Sequence, residues 1–278
     1  MASSPRSATD EGSLILRFLG RRLIPANALR MTPLDSGRLA MAKIVKLNYR
    51  PKSKLEKFGQ KIFNLLVENF PQTFYVGGMV RDLLLRKKIR DIDIATSADP
   101  EQVIAMLKKH GISADPKYKK LGIVAIPFGS VNLSVTTFRM DYYINSRYPK
   151  VTFIANIKQD AQRRDFTINA LYLSPKSGTL IDFHNGVGDL KRRQLRLIGD
   201  PKKRLAEDPL RIVRALRFAK TLDLKLELGT KKTIENNFSL LNFLTKSRIE
   251  SELKKIKSLR QRKFVAAEVR RQILLDIK

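Results

Sequence analysis

The chain has 278 residues, 43% of them hydrophobic, which is enough to bury a sizeable core in one or two domains. Lysine and arginine number 55 against 26 aspartate and glutamate, and this net charge of +29 indicates a polyanionic partner such as nucleic acid. Because the chain has no cysteine and only two histidines, disulfides and Cys- or His-rich metal centres are excluded, and a catalytic metal would need carboxylate ligands. No apolar run approaches the roughly 20 residues that cross a bilayer, so we expect no membrane partner.

Residues 1–50 are predicted to form a basic N-terminal extension. The stretch 14–23 mixes Leu, Ile and Phe with arginines, a composition typical of organellar targeting peptides but also compatible with a disordered extension. A third interpretation is a start at Met41. We expect a cytoplasmic protein, with a mitochondrial or plastid location as the alternative if residues 1–40 are a targeting peptide.

Helical and strand patterns alternate from residue 51 onwards. The predicted elements, in chain order, are a helix over 54–70, a strand over 74–76, a helix over 79–86, a strand over 89–95, a helix from 100 to about 111, and strands over 123–126, 131–138, 151–155 and 171–173. After residue 180 the strand signals fade. We therefore predict an α+β protein, with a head of mixed β-sheet and flanking helices over residues 51–185 and an all-α neck over residues 186–278.

Two acidic residues, Asp91 and Asp93, lie in the strand predicted over 89–95. Residues i and i+2 of a strand project to the same face, so both carboxylates are predicted to meet while Ile92 turns to the core. Two like charges so close together need a cation between them, and a divalent ion that also binds nucleotide phosphates would fit. We predict Mg²⁺ at Asp91 and Asp93 as the catalytic centre, although alternating acids also decorate solvated strand faces.

A strand, a glycine pair and a helix precede these acids. Gly77 and Gly78 would let backbone amides approach phosphate oxygens at a helix N-terminus, and Arg81 adds a planar fork of donors for phosphate. Taken separately, an ordinary tight turn and a surface salt bridge between Arg81 and Asp82 explain the same residues.

Four blocks of sequence together resemble one known family. The runs GGMVRDLLL at 77–85 and DIDIAT at 91–96 closely resemble the signature of class II tRNA nucleotidyltransferases (CCA-adding enzymes) and bacterial poly(A) polymerases. RRDFTINAL at 163–171 resembles the RRD motif of that family, and EDPLRIVRALR at 207–217 resembles its EDxxR motif. The resemblance spans roughly residues 70–260 with the blocks in the expected order.

The resemblance implies specific roles for residues of the last two blocks. Arg164 and Asp165 would contact nucleotide phosphate and ribose, while Asp208 and Arg211 would hydrogen bond the Watson–Crick edge of the incoming base. Placed on one helix, Arg214 and Arg217 would continue the row of polar residues from 207. The predicted nucleotide-binding residues are Gly77, Gly78, Arg81, Arg164, Asp165, Asn169, Asp208, Arg211, Arg214 and Arg217.

Two features depart from the family pattern. Members usually carry a third acidic residue in the strand before a T-x-R sequence, and Ser134 falls at that position here; Asp141 is the nearest acid downstream if the register is shifted. The sequence also ends before the family's further helical domains, so we predict that its body and tail domains are absent or truncated. The residues predicted to bind RNA instead, with a solvated basic helix as the alternative, are Lys254, Lys255, Lys257 and Arg260.

The leading hypothesis is an enzyme that adds CCA, from CTP and ATP, to the 3′ end of tRNA. A poly(A) polymerase of the same family is the close rival, but the run KKLGIVAI at 119–126 resembles the CCA-adding version more. A third hypothesis is an RNA-binding protein on a catalytically disabled scaffold, suggested by Ser134 and the short C-terminal region. The expected partners are tRNA or another RNA 3′ end, CTP and ATP, and no oligomeric state is predicted.

Overall fold

The computed structural model of the chain describes residues 43–143 and 149–275. The predicted N-terminal extension thus lies outside the described residues as far as residue 42. The strands are β1 (Lys43–Lys46), β2 (Thr73–Val76), β3 (Ile92–Thr96), β4 (Ile123–Phe128), β5 (Val131–Thr137), β6 (Arg139–Tyr142), β7 (Lys150–Phe153), β8 (Leu171–Ser174), β9 (Thr179–Asp182), β10 (Gln194–Leu195) and β11 (Lys225–Leu226).

Ten α-helices are described, together with three short 3₁₀ turns at Lys119–Leu121, Thr167–Asn169 and Phe238–Phe243. The α-helices are α1 (Lys54–Asn69), α2 (Gly78–Leu84), α3 (Pro100–Lys109), α4 (Ile157–Arg163), α5 (Gly186–Lys191), α6 (Pro201–Glu207), α7 (Leu210–Leu222), α8 (Leu228–Glu235), α9 (Lys246–Lys254) and α10 (Leu259–Leu275). None of these described helices is long and apolar enough to cross a membrane.

A seven-stranded sheet in the order β1-β9-β8-β2-β3-β5-β4 forms the head. β3 and β5 run parallel, whereas the other neighbouring strands in this sheet are antiparallel. The predicted α+β class with a mixed sheet in the head is therefore confirmed. In the registers of β2, β3 and β5, Asp93 lies between Val76 on one side and Ser134 on the other.

Helix α1 covers one face of the sheet. Ser53 and Glu56 form a capping box at its N-terminus, in which each side chain bonds the backbone of the other residue. Apolar residues at helical spacing, including Ile62, Phe63 and Leu66, are fully buried where α1 contacts β2 and β3. The local capping signal and the apolar stripe both favour this helix, which explains why it is readable in the sequence.

The chain after β9 is helical apart from β10 and β11, a two-residue parallel pair. Its apolar side chains, among them Ile212 and Phe218 of α7, join the same buried cluster as the core of the head. Arg204 of α6 donates to the backbone carbonyls of Arg163 and Arg164, the latter at 2.8 Å. These bonds connect α6 to the C-terminal end of α4.

The structure corrects one strand prediction and adds five strands that the sequence pattern did not predict, β1, β6, β9, β10 and β11. The strand predicted over 89–95 begins at Ile92, the first residue that pairs with β5. β1 and β9 have four residues each and only two large apolar side chains; β1 pairs with β9, and β9 also pairs with β8. Such pairing between distant segments leaves little trace in a local pattern.

Candidate active site

Asp93 lies at the centre of the sheet. The hydroxyl of Ser134 donates to Asp93 Oδ1 at 2.6 Å. On the other side is Gly77, whose φ of +70° is a conformation that glycine adopts without strain. A Cβ atom at Gly77 would lie 3.4 Å from Asp93 Oδ2 and 4.0 Å from Arg164 Nη1. The backbone at Gly77 thus lies beside both the carboxylate and the guanidinium.

Burial raises the pKa of Asp93, and the charge on Asp91 raises it further. The hydrogen bond from Ser134 and the charges on Arg164 and Arg81 lower it, but they do not offset the effect of burial. Asp91 lies just before β3 and is exposed, so the two acids are neighbours although only one belongs to the strand. A cation at this position would relieve the cost of ionising Asp93.

No third carboxylate lies beside Asp93 at the Ser134 position. The parallel register pairs Asp93 with Ser134. Asp141, the alternative acid, is instead engaged in β6, where it forms ion pairs with Arg139 at 2.9 Å and Arg163 at 3.8 Å. Within residues 43–143 and 149–275 there is no group of three or more His, Cys, Asp or Glu side chains that could hold a metal ion by itself.

Arg164 is held by a fully buried pair of partners that sequence reasoning missed. Its Nη2 atom lies 3.0 Å from Asp160 Oδ2, and its Nε atom donates to the Tyr172 hydroxyl at 2.8 Å. Tyr172 in turn donates to Asp160 Oδ2 at 2.6 Å. Although burial alone raises the pKa of Asp160, the charges on Arg164 and Arg163 and the Tyr172 bond lower it to about 2. The carboxylate is therefore ionised, and Asp160 precedes Arg164 by one helical turn, a spacing that could have indicated it.

The RRD segment is joined to the glycine segment and to α7 by a chain of hydrogen bonds. Arg81 donates to Asn169 at 2.7 Å, and Asn169 donates to Asp165 at 3.1 Å. Asp165 also accepts from Arg214 Nε at 2.8 Å, so three predicted motifs meet here. Despite burial, which raises it, the pKa of Asp165 falls to about 2, chiefly because of the charge on Arg214.

Three of the predicted arginines surround one aromatic ring. The guanidinium carbons of Arg81, Arg214 and Arg217 lie 5.1, 5.8 and 3.9 Å from the ring centroid of Phe218. Arg217 is also held by Glu252 of α9, which is 1% exposed and accepts from Arg217 Nε at 2.7 Å. The Phe218 ring thus makes cation–π contacts with arginines from both α2 and α7.

The prediction that Glu207 to Arg217 lie on one helix was wrong. The helix breaks at Asp208 and Pro209, because proline disfavours helical geometry at the preceding residue and has no backbone N–H to donate. Asp208 accepts from Arg248 of α9 at 3.1 Å. Arg211 is 5% exposed and donates to the Arg204 carbonyl and to Glu207. The Arg211 N–H donates to the Asp208 carbonyl at 3.1 Å, but the two side chains have different partners.

The residues predicted to bind RNA lie on the surface at the junction of α9 and α10. All four, Lys254, Lys255, Lys257 and Arg260, are exposed. Lys255 is linked to the site because it shares Glu252 with Arg217, at 2.6 Å.

Sequence comparison matches the chain to one family model and to CCA-adding enzymes of bacteria. Residues 73–196 match the poly A polymerase head domain. The CCA-adding enzyme of Lactobacillus delbrueckii subsp. bulgaricus is 43% identical over 187 residues, which are 66% of this chain and 46% of that protein. That of Pediococcus pentosaceus is 43% identical over 185 residues, with the same shares.

Solved structures of enzymes of the same kind also match this chain. The Bacillus stearothermophilus CCA-adding enzyme in complex with CTP matches with a TM-score of 0.65 and 34% identity, over 73% of this chain and 49% of that one. A tRNA nucleotidyltransferase complexed with a primer tRNA and an incoming ATP analogue matches with a TM-score of 0.62 and 30% identity, over 77% of this chain and 61% of that one. The chain spans about half the length of the curated relatives it matches.

Proposed function

Since this chain belongs to the family of class II CCA-adding enzymes and bacterial poly(A) polymerases, we propose that it is a template-independent nucleotidyltransferase that adds CCA, from CTP and ATP, to the 3′ end of tRNA. The observation that carries the proposal is the meeting of Asp93, Gly77 and Arg164 at one point of the sheet. A carboxylate, an unobstructed backbone and a guanidinium are the groups that a metal-bound triphosphate needs.

Asp91 and Asp93 are proposed to hold Mg²⁺ and to act as the catalytic pair. Both donors are hard carboxylate oxygens, which magnesium prefers, and it usually binds one or two carboxylates together with substrate phosphates and water. The metal would activate the attacking 3′ hydroxyl and stabilise the departing pyrophosphate. The Ser134 hydroxyl orients Asp93 beside it.

The remaining predicted residues are proposed to bind the nucleotide. Gly77, Gly78, Arg81 and Arg164 would contact the triphosphate, and Asp165 with Asn169 would contact the ribose. Arg214 and Arg217 would add positive charge from α7. Support comes from the hydrogen bonds that join Arg81, Asn169, Asp165 and Arg214 into one network.

Base selection is proposed to rest on Asp208 and Arg211. An aspartate accepts from the exocyclic amine that cytosine and adenine share, while an arginine donates to a ring nitrogen or a carbonyl oxygen. The break in the helix at Asp208 leaves its carboxylate at the junction of α6 and α7, where Arg248 contacts it.

RNA is proposed to bind along the neck, residues 186–278, while the head, residues 51–185, carries the chemistry. Lys254, Lys255, Lys257 and Arg260 would contact phosphates at the exposed junction of α9 and α10. A cytoplasmic location remains a prediction, and import into an organelle is the alternative if residues 1–40 target the protein.

The test measures incorporation of labelled CTP alone, ATP alone and both together, always with Mg²⁺. The RNA substrates are tRNA that lacks its CCA end and an unstructured RNA. Asp91→Asn and Asp93→Asn should abolish incorporation, while Asp223→Asn, at a side chain 91% exposed, should not. Addition that stops after CCA on tRNA supports the proposal. Long A tracts on either RNA would instead assign poly(A) synthesis, and RNA binding without incorporation would assign a disabled scaffold.

A further inference from the structure

The hydrogen bonds of Arg164 divide its guanidinium into two parts. The bonds described for it use Nε and Nη2, which face Asp160 and Tyr172. Nη1 takes part in none of these bonds, and it is the atom that lies 4.0 Å from a Cβ position on Gly77. Arg164 therefore has one side bound within the protein and the other directed at the Asp93 site.

We propose that Asp160 and the Tyr172 hydroxyl are positioning residues, which fix the Arg164 guanidinium so that Nη1 faces the phosphates of the incoming nucleotide. The proposal rests on the proposed nucleotidyltransferase function and adds residues to it. Neither residue is predicted to touch the nucleotide. Both act through Arg164.

The geometry favours positioning over mere burial of polar groups. Tyr172 donates its hydroxyl proton to Asp160 and accepts from Arg164, so both capacities of the oxygen are used in fixed directions. Its ring lies 5.2 Å from the Arg164 guanidinium carbon and supports it from the side. A guanidinium is planar, so bonds at Nε and Nη2 also fix the direction of Nη1.

Tyr75 provides a matched control. It lies on the strand next to Tyr172, with Tyr75 paired to Leu173, and is likewise fully buried. Neighbouring positions in paired strands alternate between the faces of the sheet, so its ring packs instead against Tyr49 and Phe63. Its hydroxyl has no hydrogen-bond partner among the described residues. Removing either hydroxyl takes one buried oxygen from the core, but only at Tyr172 does Arg164 lose a contact.

The experiment compares Tyr172→Phe, Tyr75→Phe, Arg164→Ala and the double variant Tyr172→Phe/Arg164→Ala. Asp160→Asn is a poorer choice, because it leaves buried arginines unpaired and risks unfolding. For each variant one measures the thermal midpoint, the affinity for Mg·ATP and Mg·CTP by calorimetry without RNA, and kcat and KM for incorporation into tRNA lacking CCA. Tyr172→Phe removes the hydrogen bond that the charged Arg164 Nε donates, so its kcat/KM should be about ten-fold lower than that of the wild type.

The inference expects Tyr75→Phe to keep wild-type kinetics and Tyr172→Phe to have no further effect once Arg164 is alanine. It is overturned if Tyr172→Phe changes only the thermal midpoint, or if its kinetic effect is the same with and without Arg164. A wild-type chain that neither binds nor incorporates nucleotides would overturn the proposed function itself. The two outcomes named above overturn only the positioning role and leave that function standing.

Discussion

The hydroxyl of Ser134 lies 2.6 Å from Asp93 Oδ1, in a register that pairs the two residues across parallel strands β5 and β3. A serine thus stands where the family resemblance implies a third acid, and it contributes a neutral donor instead of a negative charge. The metal affinity of the site should be lower as a result, since ligand charge tunes the binding of hard cations.

Replacing Ser134 with aspartate should therefore tighten magnesium binding. A third carboxylate beside Asp91 and Asp93 adds attraction for the ion but repulsion when the ion is absent. Ser134→Asp should lower the Mg²⁺ concentration for half-maximal binding by about ten-fold, and reduce the thermal midpoint in EDTA. Calorimetric titration with Mg²⁺ measures the first effect, with Ser134→Ala as the control. Equal magnesium affinities for wild type and Ser134→Asp would contradict the prediction.

Arg248 should influence which base is accepted. It donates to Asp208 at 3.1 Å from the neighbouring helix α9, so its loss leaves the carboxylate less well fixed. Arg248→Ala should reduce discrimination between CTP and UTP by about ten-fold in kcat/KM. Arg193→Ala removes another arginine that is ion-paired to an aspartate, Asp223, and serves as the control. If both variants keep wild-type discrimination, Arg248 has no part in selection.

Acid should destabilise the protein partly through Asp165. Its pKa falls from 3.8 to about 2 on folding, so its contribution to stability is present above the unfolded value and is lost as the pH falls towards 2. Asp165→Asn should therefore lower the free energy of unfolding at neutral pH by on the order of 2 kcal/mol. Urea unfolding at a series of pH values should show this difference shrinking below about pH 4. A difference that is independent of pH would rule out this origin.

Gly186 should not tolerate a side chain. A Cβ atom there would lie 2.2 Å from the Thr167 carbonyl oxygen, which is backbone and cannot rotate away. Gly186→Ala should destabilise the protein by about 2 kcal/mol through overpacking. At Gly229 the nearest atom is a Glu227 carboxylate oxygen at 3.3 Å; it caps α8 but belongs to a side chain that can shift by a few tenths of an ångström, so Gly229→Ala should change stability by less than about 0.5 kcal/mol. Chemical denaturation compares the two, and equal stabilities would refute the argument.

The exposed cations at the junction of α9 and α10 should contribute to the salt dependence of RNA binding. Replacing Lys254, Lys257 and Arg260 with alanine should reduce the slope of log K against log salt by about 2, since each phosphate contact releases condensed counterions. Alanine at Lys54, Lys57 and Lys61 of α1 removes the same charge from the head and should leave the slope nearly unchanged. Equal reductions in both triple variants would mean that binding depends only on net charge.

Much of the site could be read from local sequence. The glycine pair, the acids at 91 and 93, the RRD segment and the EDxxR segment are short blocks that can be recognised without knowing which distant residues they contact. Helices α1 and α3 carry their own capping boxes, so their starts were also predictable. Errors occurred where pairing between distant segments decided the outcome, as in β1 and β9.

The family, the α+β class and the charged groups proposed for the site follow from the amino-acid sequence, because motif residues and periodic apolar positions are properties of the chain alone. Which partner each charged group has is set by the fold. Asp160 with Tyr172, Glu252 with Arg217 and Arg248 with Asp208 are brought together by folding. Hydrogen bonds require atoms within about 3 Å of each other, and no local pattern specifies that distance between segments far apart in the chain.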